Sequence, residues 1–173
     1  MCRQVQIRVI FTAAAMRFVP PDDLAAIRSL CDGVFTDADE WAEQPSPEKQ
    51  VQEQRQRVQP THSSPWRRGD AVLHIELRKW ADVFLIAPLS ANTLAKLAGG
   101  QCDNLLTCVA RAWDFAQRRP FVVAPAMNTL MWTHALTADQ LARIEAWGVT
   151  IVPPVAKTLA CGDIGMVLMC NVS

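Results

Sequence analysis

Residues 83–93 read VFLIAPLSANT, and this stretch says more about the architecture than any other part of the 173-residue chain. Its first five residues form an unbroken apolar run closed by Pro88, a pattern typical of a strand that is buried on both faces. Ser90 is a natural N-cap for the helix that follows, and Gly99-Gly100 is placed to end that helix. The stretch therefore predicts a buried strand joined by a short turn to a helix.

The same order of elements recurs further along the chain. Residues 121–124 form a second apolar strand, which Pro125 halts. A helix is then predicted from its cap at Thr137 through Trp147, and residues 149–152 form a third strand before two prolines. Strands that alternate with helices imply right-handed crossovers and a parallel sheet. We therefore predict an α/β fold with a doubly wound parallel sheet, Rossmann or flavodoxin-like, in three αβα layers.

The rest of the chain adds further elements and one region without any. Predicted strands lie at 5–11 and 34–36, and predicted helices at 22–30, 74–81 and 102–113. Residues 43–70 are instead dominated by Gln, Glu, Arg, Pro and Ser. Such a stretch cannot bury enough apolar area to offset the entropy of ordering it. It is predicted to be a disordered insertion in a single domain that covers residues 1–173.

Composition argues against several classes of protein. Lys and Arg together number 17, as do Asp and Glu, so the basic surface of a nucleic-acid binder is not expected. The longest apolar run, residues 83–87, is far too short to cross a bilayer, and no membrane association is expected. Three arginines before Asp22 also fit a transit peptide, but the alternation at 5–11 favours an ordinary strand. We expect a cytoplasmic protein.

The six cysteines form neither a CxxC pair nor a zinc-ligand spacing, so no metal site is predicted. A disulfide framework is not expected in a chain without a secretory signal. Most of the thiols are predicted to be small buried groups.

The candidate site lies beyond the carboxyl ends of the strands, where ligands bind in sheets of this kind. Small polar side chains follow two of the predicted strands, at residues 90–93 and at Asn128. Hydroxyl and amide groups beside the free N–H groups of a helix start suit a phosphate or an electron-rich heterocycle. The spacing by itself is equally consistent with ordinary N-caps.

Five motifs, taken in order, sharpen this interpretation. They are LHIELRKWAD at 73–82, APLSANT at 87–93, CDNLLT at 102–107, PAMN at 125–128 followed by Met131-Trp132, and ACGD at 160–163. In these motifs the chain resembles the phosphopantothenoylcysteine decarboxylases, which belong to the homo-oligomeric flavin-containing cysteine decarboxylases. The resemblance runs from about residue 71 to residue 165.

The resemblance implies roles for individual residues. His74 matches the family's catalytic base, and an imidazole is suited to accept a proton from a thiol near neutral pH. Asn128 matches the residue that holds the substrate carboxylate, and Cys161 matches the proton donor. Without the motifs, His74 would more often be structural and Cys161 a buried thiol. The matching flavin contacts are Thr12, Ser90, Ala91, Asn92, Thr93 and Ala126.

The implied activity is a carboxy-lyase reaction of coenzyme A biosynthesis, the FMN-dependent decarboxylation of 4′-phosphopantothenoylcysteine to 4′-phosphopantetheine. FMN would oxidise the cysteinyl group to a thioaldehyde, carbon dioxide would be lost to leave an enethiol, and the reduced flavin would return the two electrons while Cys161 supplies a proton. The family also implies a homotrimer. Two alternatives stay open. One is a catalytically impaired isoform or flavoprotein-like regulatory subunit that acts by protein contact; the other is a decarboxylase of peptide C-terminal cysteines.

The chain also departs from the family pattern at both ends. Family members begin with a strand and a Gly-Ser loop that cradles the FMN phosphate, whereas residues 5–18 here resemble the family's second strand. After Gly165 the sequence departs again from the family's pattern. We therefore expect weak FMN binding and little decarboxylation from this chain.

Overall fold

The computed structural model describes residues 5–40, 69, 71–158 and 164–167. These residues form two compact units. Unit 1 comprises the described residues up to Leu77 together with Asn104–Leu106, and unit 2 comprises Arg78–Asp103 and the described residues from Thr107 onward. Except for Gly69, the predicted insertion at 43–70 lies outside the described residues. The insertion and the single-domain organisation therefore stay predictions.

Unit 1 is built on a parallel pair of strands. Its main elements are β1 (Arg8–Phe11), α1 (Pro21–Leu30), β2 (Gly33–Thr36) and the start of α2 (Leu73–Trp80). The register of β1 and β2 runs from Arg8 opposite Gly33 to Phe11 opposite Thr36. Short 3₁₀ helices follow both strands, at Ala15–Phe18 and Asp37–Asp39. The first predicted strand is thus shorter than 5–11, while the elements predicted at 22–30, 34–36 and 74–81 are confirmed to within a residue.

Unit 2 holds most of the remaining elements. They are β3 (Phe84–Leu89), α3 (Ala91–Gly99), most of α4 (Leu105–Arg111), β4 (Phe121–Pro125), β5 (Met127–Asn128), α5 (Thr129–Trp132), α6 (Ala135–Ala146), β6 (Thr150–Ile151), β7 (Val155–Thr158) and β8 (Ile164–Val167). Among the described residues, no helix has the length and apolar character that a membrane span requires.

The sheet of unit 2 has the predicted parallel pairing. β4 lies between β3 and β6 and pairs in parallel with both. A second sheet, in the order β5-β8-β7, is antiparallel. This second sheet was not predicted, because its strands are short and lack the long apolar runs that mark β3 and β4.

Aromatic packing holds β3 and β4 together where both strands begin. The ring centroids of Phe84 and Phe121 lie 4.7 Å apart, and Trp113 lies 5.4 Å from Phe84. All three side chains are buried. Full burial of a large apolar side chain contributes roughly 1.5–3 kcal/mol. This cluster therefore helps to fix the two strands whose far ends carry the candidate site.

Several boundaries differ from the predictions, and the helix predicted at 102–113 is confined to Leu105–Arg111. Pro88 does not end β3, which continues to Leu89. The ladder between β3 and β4 shifts register between Ile86 and Leu89, so Pro88, which has no N–H to donate, lies where regular pairing is interrupted. Thr137 does not cap α6, because the helix begins two residues earlier and the Nδ1 atom of His134 accepts the N–H of Leu136 at 3.2 Å.

The thiols that the structure describes are less buried than predicted. Among the described residues, Cys31, Cys102 and Cys108 form no disulfide with one another, and Cys102 is exposed in the connection between α3 and α4. The prediction of burial was therefore wrong for Cys102. Its thiol donates to the carbonyl of Gly100, the residue with positive φ that ends α3.

Candidate active site

The carboxyl ends of β3 and β4 lie side by side in unit 2. Leu89 is opposite Pro125 in the register, and the N–H of Ala126 donates to the carbonyl of Leu89 at 2.9 Å. Because the two strands are parallel, the turns that follow them emerge at the same edge of the sheet. The structure thus brings the predicted residues 90–93, 126 and 128 together at one edge.

The turn after β3 is organised by Ser90. Its Oγ accepts the N–H of Thr93 at 3.2 Å and lies 3.1 Å from the Thr93 hydroxyl, so Ser90 caps α3 as predicted. The first N–H groups of a helix have no partner within the helix. Asn92 lies exposed in the same first turn. Hydroxyl, amide and N–H donors therefore converge at the start of α3.

The turn after β4 is organised by Asn128. The Oδ1 atom of Asn128 accepts the N–H of Met131 at 2.8 Å and so caps α5. This contact identifies which end of the amide carries the oxygen, since a backbone N–H needs an acceptor. Within the described part of the chain, the structure shows no partner for the Nδ2 group. Asn128 therefore presents two N–H donors to a ligand.

A groove of about 390 Å³ opens beside Asn128. Its other lining residues are Ala91, Ala95, Leu130, Met131, His134, Leu136, Thr137 and Gln140. The lining is mainly apolar with a few polar groups, which is the usual character of small-molecule sites, and its volume falls within their usual range of roughly 300–1,000 Å³. The groove therefore has room for a small ligand with a polar end at Asn128.

In unit 1, His74 is paired with a carboxylate. The Nδ1 atom of His74, in the first turn of α2, lies 2.5 Å from Oε1 of Glu40. The His74 side chain is 23% exposed and that of Glu40 is 7% exposed. An ionised carboxylate only accepts hydrogen bonds, so the neutral ring carries its proton on Nδ1. The Nε2 atom is then left as the basic nitrogen.

The turn that carries Glu40 is held by neighbouring side chains. The Oδ2 atom of Asp39 accepts the N–H of Thr36 at 2.7 Å and the Thr36 hydroxyl at 2.8 Å. Asp37 accepts the N–H of Leu105, at the start of α4, at 2.9 Å. The position of Glu40 is therefore set by contacts that do not involve His74.

Glu40 was not predicted as a site residue. The signal in the sequence is the acidic stretch DADEW at 37–41, of which Trp41 lies outside the described residues. Nothing local marks Glu40 as the partner of His74, because 34 positions separate the two residues. The partnership follows from the fold alone.

The remaining predicted site residues are Thr12 and Cys161. The Oγ1 atom of Thr12, in unit 1, accepts the N–H of Ala15 at 3.2 Å at the turn after β1. Cys161 lies outside the described residues. The functional roles of all the predicted residues stay predictions. Among the described residues, no group of three His, Cys, Asp or Glu side chains could hold a metal ion.

One charged pair lies away from the strand-end turns. Lys96, in the last turn of α3, donates to Oδ2 of Asp103 at 2.5 Å. This hydrogen bond from Lys96 lowers the pKa of the Asp103 carboxyl below its ordinary value. The pair therefore stabilises the connection after α3.

Comparisons with known proteins identify the family to which the chain is similar. The chain matches a family model described as Flavoprotein over residues 1–173. It is 47% identical over 161 residues to a phosphopantothenoylcysteine decarboxylase of Oryza sativa subsp. japonica, covering 92% of this chain and 60% of that protein. It is 43% identical over 169 residues to a phosphopantothenoylcysteine decarboxylase of Mus musculus, covering 97% of this chain and 68% of that protein.

Solved structures show the same relationship. A mutant PPC decarboxylase complexed with pantothenoylaminoethenethiol superposes with a TM-score of 0.71 at 42% identity, over 96% of this chain and 76% of that one. The FMN binding protein AtHal3 superposes with a TM-score of 0.64 at 42% identity, over 95% and 74%. These similarities confirm the predicted flavodoxin-like α/β fold. The chain spans about three fifths to two thirds of the length of the two curated relatives.

Proposed function

Because this chain belongs to the flavoprotein family, among relatives that are phosphopantothenoylcysteine decarboxylases, we propose that it decarboxylates 4′-phosphopantothenoylcysteine to 4′-phosphopantetheine with FMN. The reaction belongs to coenzyme A biosynthesis. The observation that carries the proposal is the amide of Asn128, which lines the groove and whose oxygen is held by the N–H of Met131, so that its two N–H donors remain for a ligand. A neutral donor of this kind suits a substrate carboxylate.

The residues at the strand ends fit FMN. Ser90 and Thr93 provide hydroxyl groups, Asn92 provides an amide, and the start of α3 provides backbone N–H donors. Such donors suit the oxygen and nitrogen atoms of a flavin ring, and helix starts favour anionic groups. By their family matches, Ala91, Ala126 and Thr12 would add contacts. When bound, FMN would accept two electrons from the cysteinyl group, which allows carbon dioxide to leave, and would return them to the product.

The chain's own residues would handle protons and orientation. His74 accepts the proton of the substrate thiol at Nε2, since its Nδ1 atom is occupied by Glu40. Asn128 holds the substrate carboxylate by donated hydrogen bonds. Because the amide is uncharged, it orients the carboxylate without the strong stabilisation that a cation would give against loss of carbon dioxide. Cys161, by its family match, donates a proton to the product.

We further propose that the protein works in the cytoplasm as a homotrimer. Leu130, Met131 and Leu136 are exposed apolar side chains, and all three line the groove beside Asn128. Contiguous exposed apolar groups often mark protein contacts. Contact with a second copy at this groove would remove these side chains from water.

The experiment is to bind FMN and then to supply the substrate. The purified chain is incubated with FMN, freed of unbound cofactor, and its visible spectrum is recorded. 4′-Phosphopantothenoylcysteine is then added, and the loss of carbon dioxide is followed by mass spectrometry. A retained, perturbed flavin band and formation of 4′-phosphopantetheine support the proposal. A chain saturated with FMN that leaves the substrate unchanged contradicts it.

A further inference from the structure

A buried carboxylate in unit 1 contacts the imidazole to which the proposed reaction assigns proton transfer. We propose that Glu40 is a positioning residue, which holds His74 in the tautomer with its proton on Nδ1 and its lone pair on Nε2. The proposal rests on the proposed function, because it specifies which nitrogen of His74 acts as the base. Glu40 itself contacts His74 rather than the reacting atoms.

The contact geometry determines the tautomer. Oε1 of Glu40 lies 2.5 Å from Nδ1 of His74, a distance at which the proton must lie between the two atoms. A neutral imidazole without such a partner distributes its proton between both nitrogens. Only the fraction with an unprotonated Nε2 could accept a proton on that side of the ring. Glu40 therefore raises the fraction of His74 that is ready to act as a base at Nε2.

The solvation of Glu40 argues against a purely structural role. Its Oε2 atom is buried and has no hydrogen-bond partner among the described residues. A buried carboxylate with an unsatisfied oxygen costs stability, and an apolar side chain of similar size often serves a core as well or better. Burial of the carboxylate is therefore understandable if its contact with His74 matters for chemistry.

The carboxylate is held in place before any ligand arrives. Asp39 accepts hydrogen bonds from Thr36, and Asp37 accepts the N–H of Leu105, so the turn that leads into Glu40 is fixed. Preorganised groups of this kind align a catalytic side chain more precisely than flexible ones do. The turn thus orients Glu40, and Glu40 orients His74.

The test measures the tautomer directly in the full chain. The three histidines are labelled with ¹⁵N, the signals of His74 are assigned by their loss in His74→Asn, and the Nδ1 and Nε2 shifts are recorded with and without Glu40→Met. We expect the Nδ1–H form to dominate in the parent chain and both forms to be populated in Glu40→Met. With FMN and substrate, kcat should fall about 100-fold with little change in KM, because fewer rings carry a free Nε2 and because the imidazolium formed on proton transfer loses its carboxylate partner.

The melting temperature separates positioning from structural support. Glu40→Met should melt no lower than the parent chain, since it removes a buried charge with an unsatisfied oxygen. Asp23→Asn is the control, because it removes an exposed negative charge from the first turn of α1 in the same unit, away from the turn that holds Glu40. It should leave both the tautomer and kcat unchanged.

Three outcomes would overturn the proposal: an unchanged tautomer ratio in Glu40→Met, the same loss of kcat in Asp23→Asn, or a lowered melting temperature with unchanged kcat. If Glu40→Met does not fold, Glu40→Gln replaces it, and a mixed tautomer population with about a 10-fold lower kcat is expected. If the parent chain does not decarboxylate the substrate but the tautomer shifts as described, the proposed reaction fails while the positioning by Glu40 stands.

Discussion

His74 in unit 1 and Asn128 in unit 2 are held in the same way by different partners. Each side chain has two polar atoms at its end, one of which is engaged within the protein. Nδ1 of His74 is engaged by Glu40, and Oδ1 of Asn128 by the N–H of Met131. The second atom, Nε2 or Nδ2, is then left with a defined hydrogen-bonding role. In both cases an internal contact determines what the side chain offers to a ligand.

The partners differ in what they do for stability. The N–H of Met131 belongs to the first turn of α5, and such a group needs an acceptor whether or not a ligand is present. Asn128 therefore stabilises the fold and shapes the site at once. Glu40 instead keeps a carboxylate buried with one oxygen unsatisfied, which opposes folding. The contact of Asn128 thus supports both the fold and the site, whereas the contact of Glu40 supports the site at a cost in stability.

The largest expected effect is the loss of the imidazole itself. His74→Asn removes the group that accepts the thiol proton, while its amide can still donate to Glu40 and so avoid an unpaired buried charge. We expect kcat to fall about 10²- to 10⁴-fold, the usual contribution of a general base. Steady-state turnover with FMN and substrate measures this, and a spectrum of bound flavin checks that the cofactor is retained. Unchanged turnover would remove His74 from the mechanism.

The next effect isolates the donor end of Asn128. Asn128→Asp retains an oxygen that can cap α5 but replaces the N–H donors with a negative charge facing the substrate carboxylate. We expect about a 100-fold loss of kcat/KM, which corresponds to roughly 3 kcal/mol, because a charge-assisted hydrogen bond is replaced by repulsion. Substrate kinetics and a thermal melt are measured together. A lowered melting temperature would mean that the cap had been lost as well.

A third variant tests whether Asn128 also supports the fold. Asn128→Ala removes the cap of α5 and should reduce the free energy of unfolding by about 1 kcal/mol. Urea denaturation followed by circular dichroism measures this loss. Glu40→Met is the variant for comparison, and we expect it to leave the free energy of unfolding undiminished. Equal losses of unfolding free energy in Asn128→Ala and Glu40→Met would show that the two contacts do not differ in their effect on stability.

The cap of α6 extends the comparison to a second helix beside the groove. His134 accepts the N–H of Leu136 through Nδ1, although histidine is not among the preferred N-cap residues. His134→Asp should raise the free energy of unfolding by about 0.5–1 kcal/mol, because aspartate caps better and its charge favours the helix start. Urea denaturation checks this gain, and His134→Ala, which should lose stability, is the control.

The smallest effect concerns an exposed carboxylate, in contrast to the buried Glu40. Lys96 lowers the pKa of Asp103, so the pair contributes stability above the ordinary aspartate value of 3.8 and loses it as the pH falls toward the lowered pKa. In Lys96→Met the pKa of Asp103 should rise toward its ordinary value, and less stability should be lost between about pH 5 and pH 2. Carboxyl NMR measures the pKa of Asp103, and unfolding at a series of acidic pH values measures the loss of stability. An unchanged Asp103 titration would exclude Lys96 as the cause.

Predictions from the sequence were most accurate where the signal is local. The apolar runs of β3 and β4 and the Ser90 cap depend on neighbouring residues, and the structure confirms all three. Pro88 predicts the end of a strand because proline has no N–H for the hydrogen bonds between strands, but a register shift lets β3 continue past it. Thr137 predicts the start of α6 because threonine is a preferred N-cap, whereas His134 is the residue that caps this helix.

The sequence by itself determined the alternation of parallel strands and helices and the placement of polar side chains after β3 and β4. These features depend on periodicity and capping over a few neighbouring residues. Only the tertiary structure decided that Glu40 meets His74 and that Asn128 lines the groove with its Oδ1 atom held by the N–H of Met131. Which nitrogen of a histidine is engaged, and by what, depends on atoms brought together from distant parts of the chain. No local pattern of residues encodes that choice.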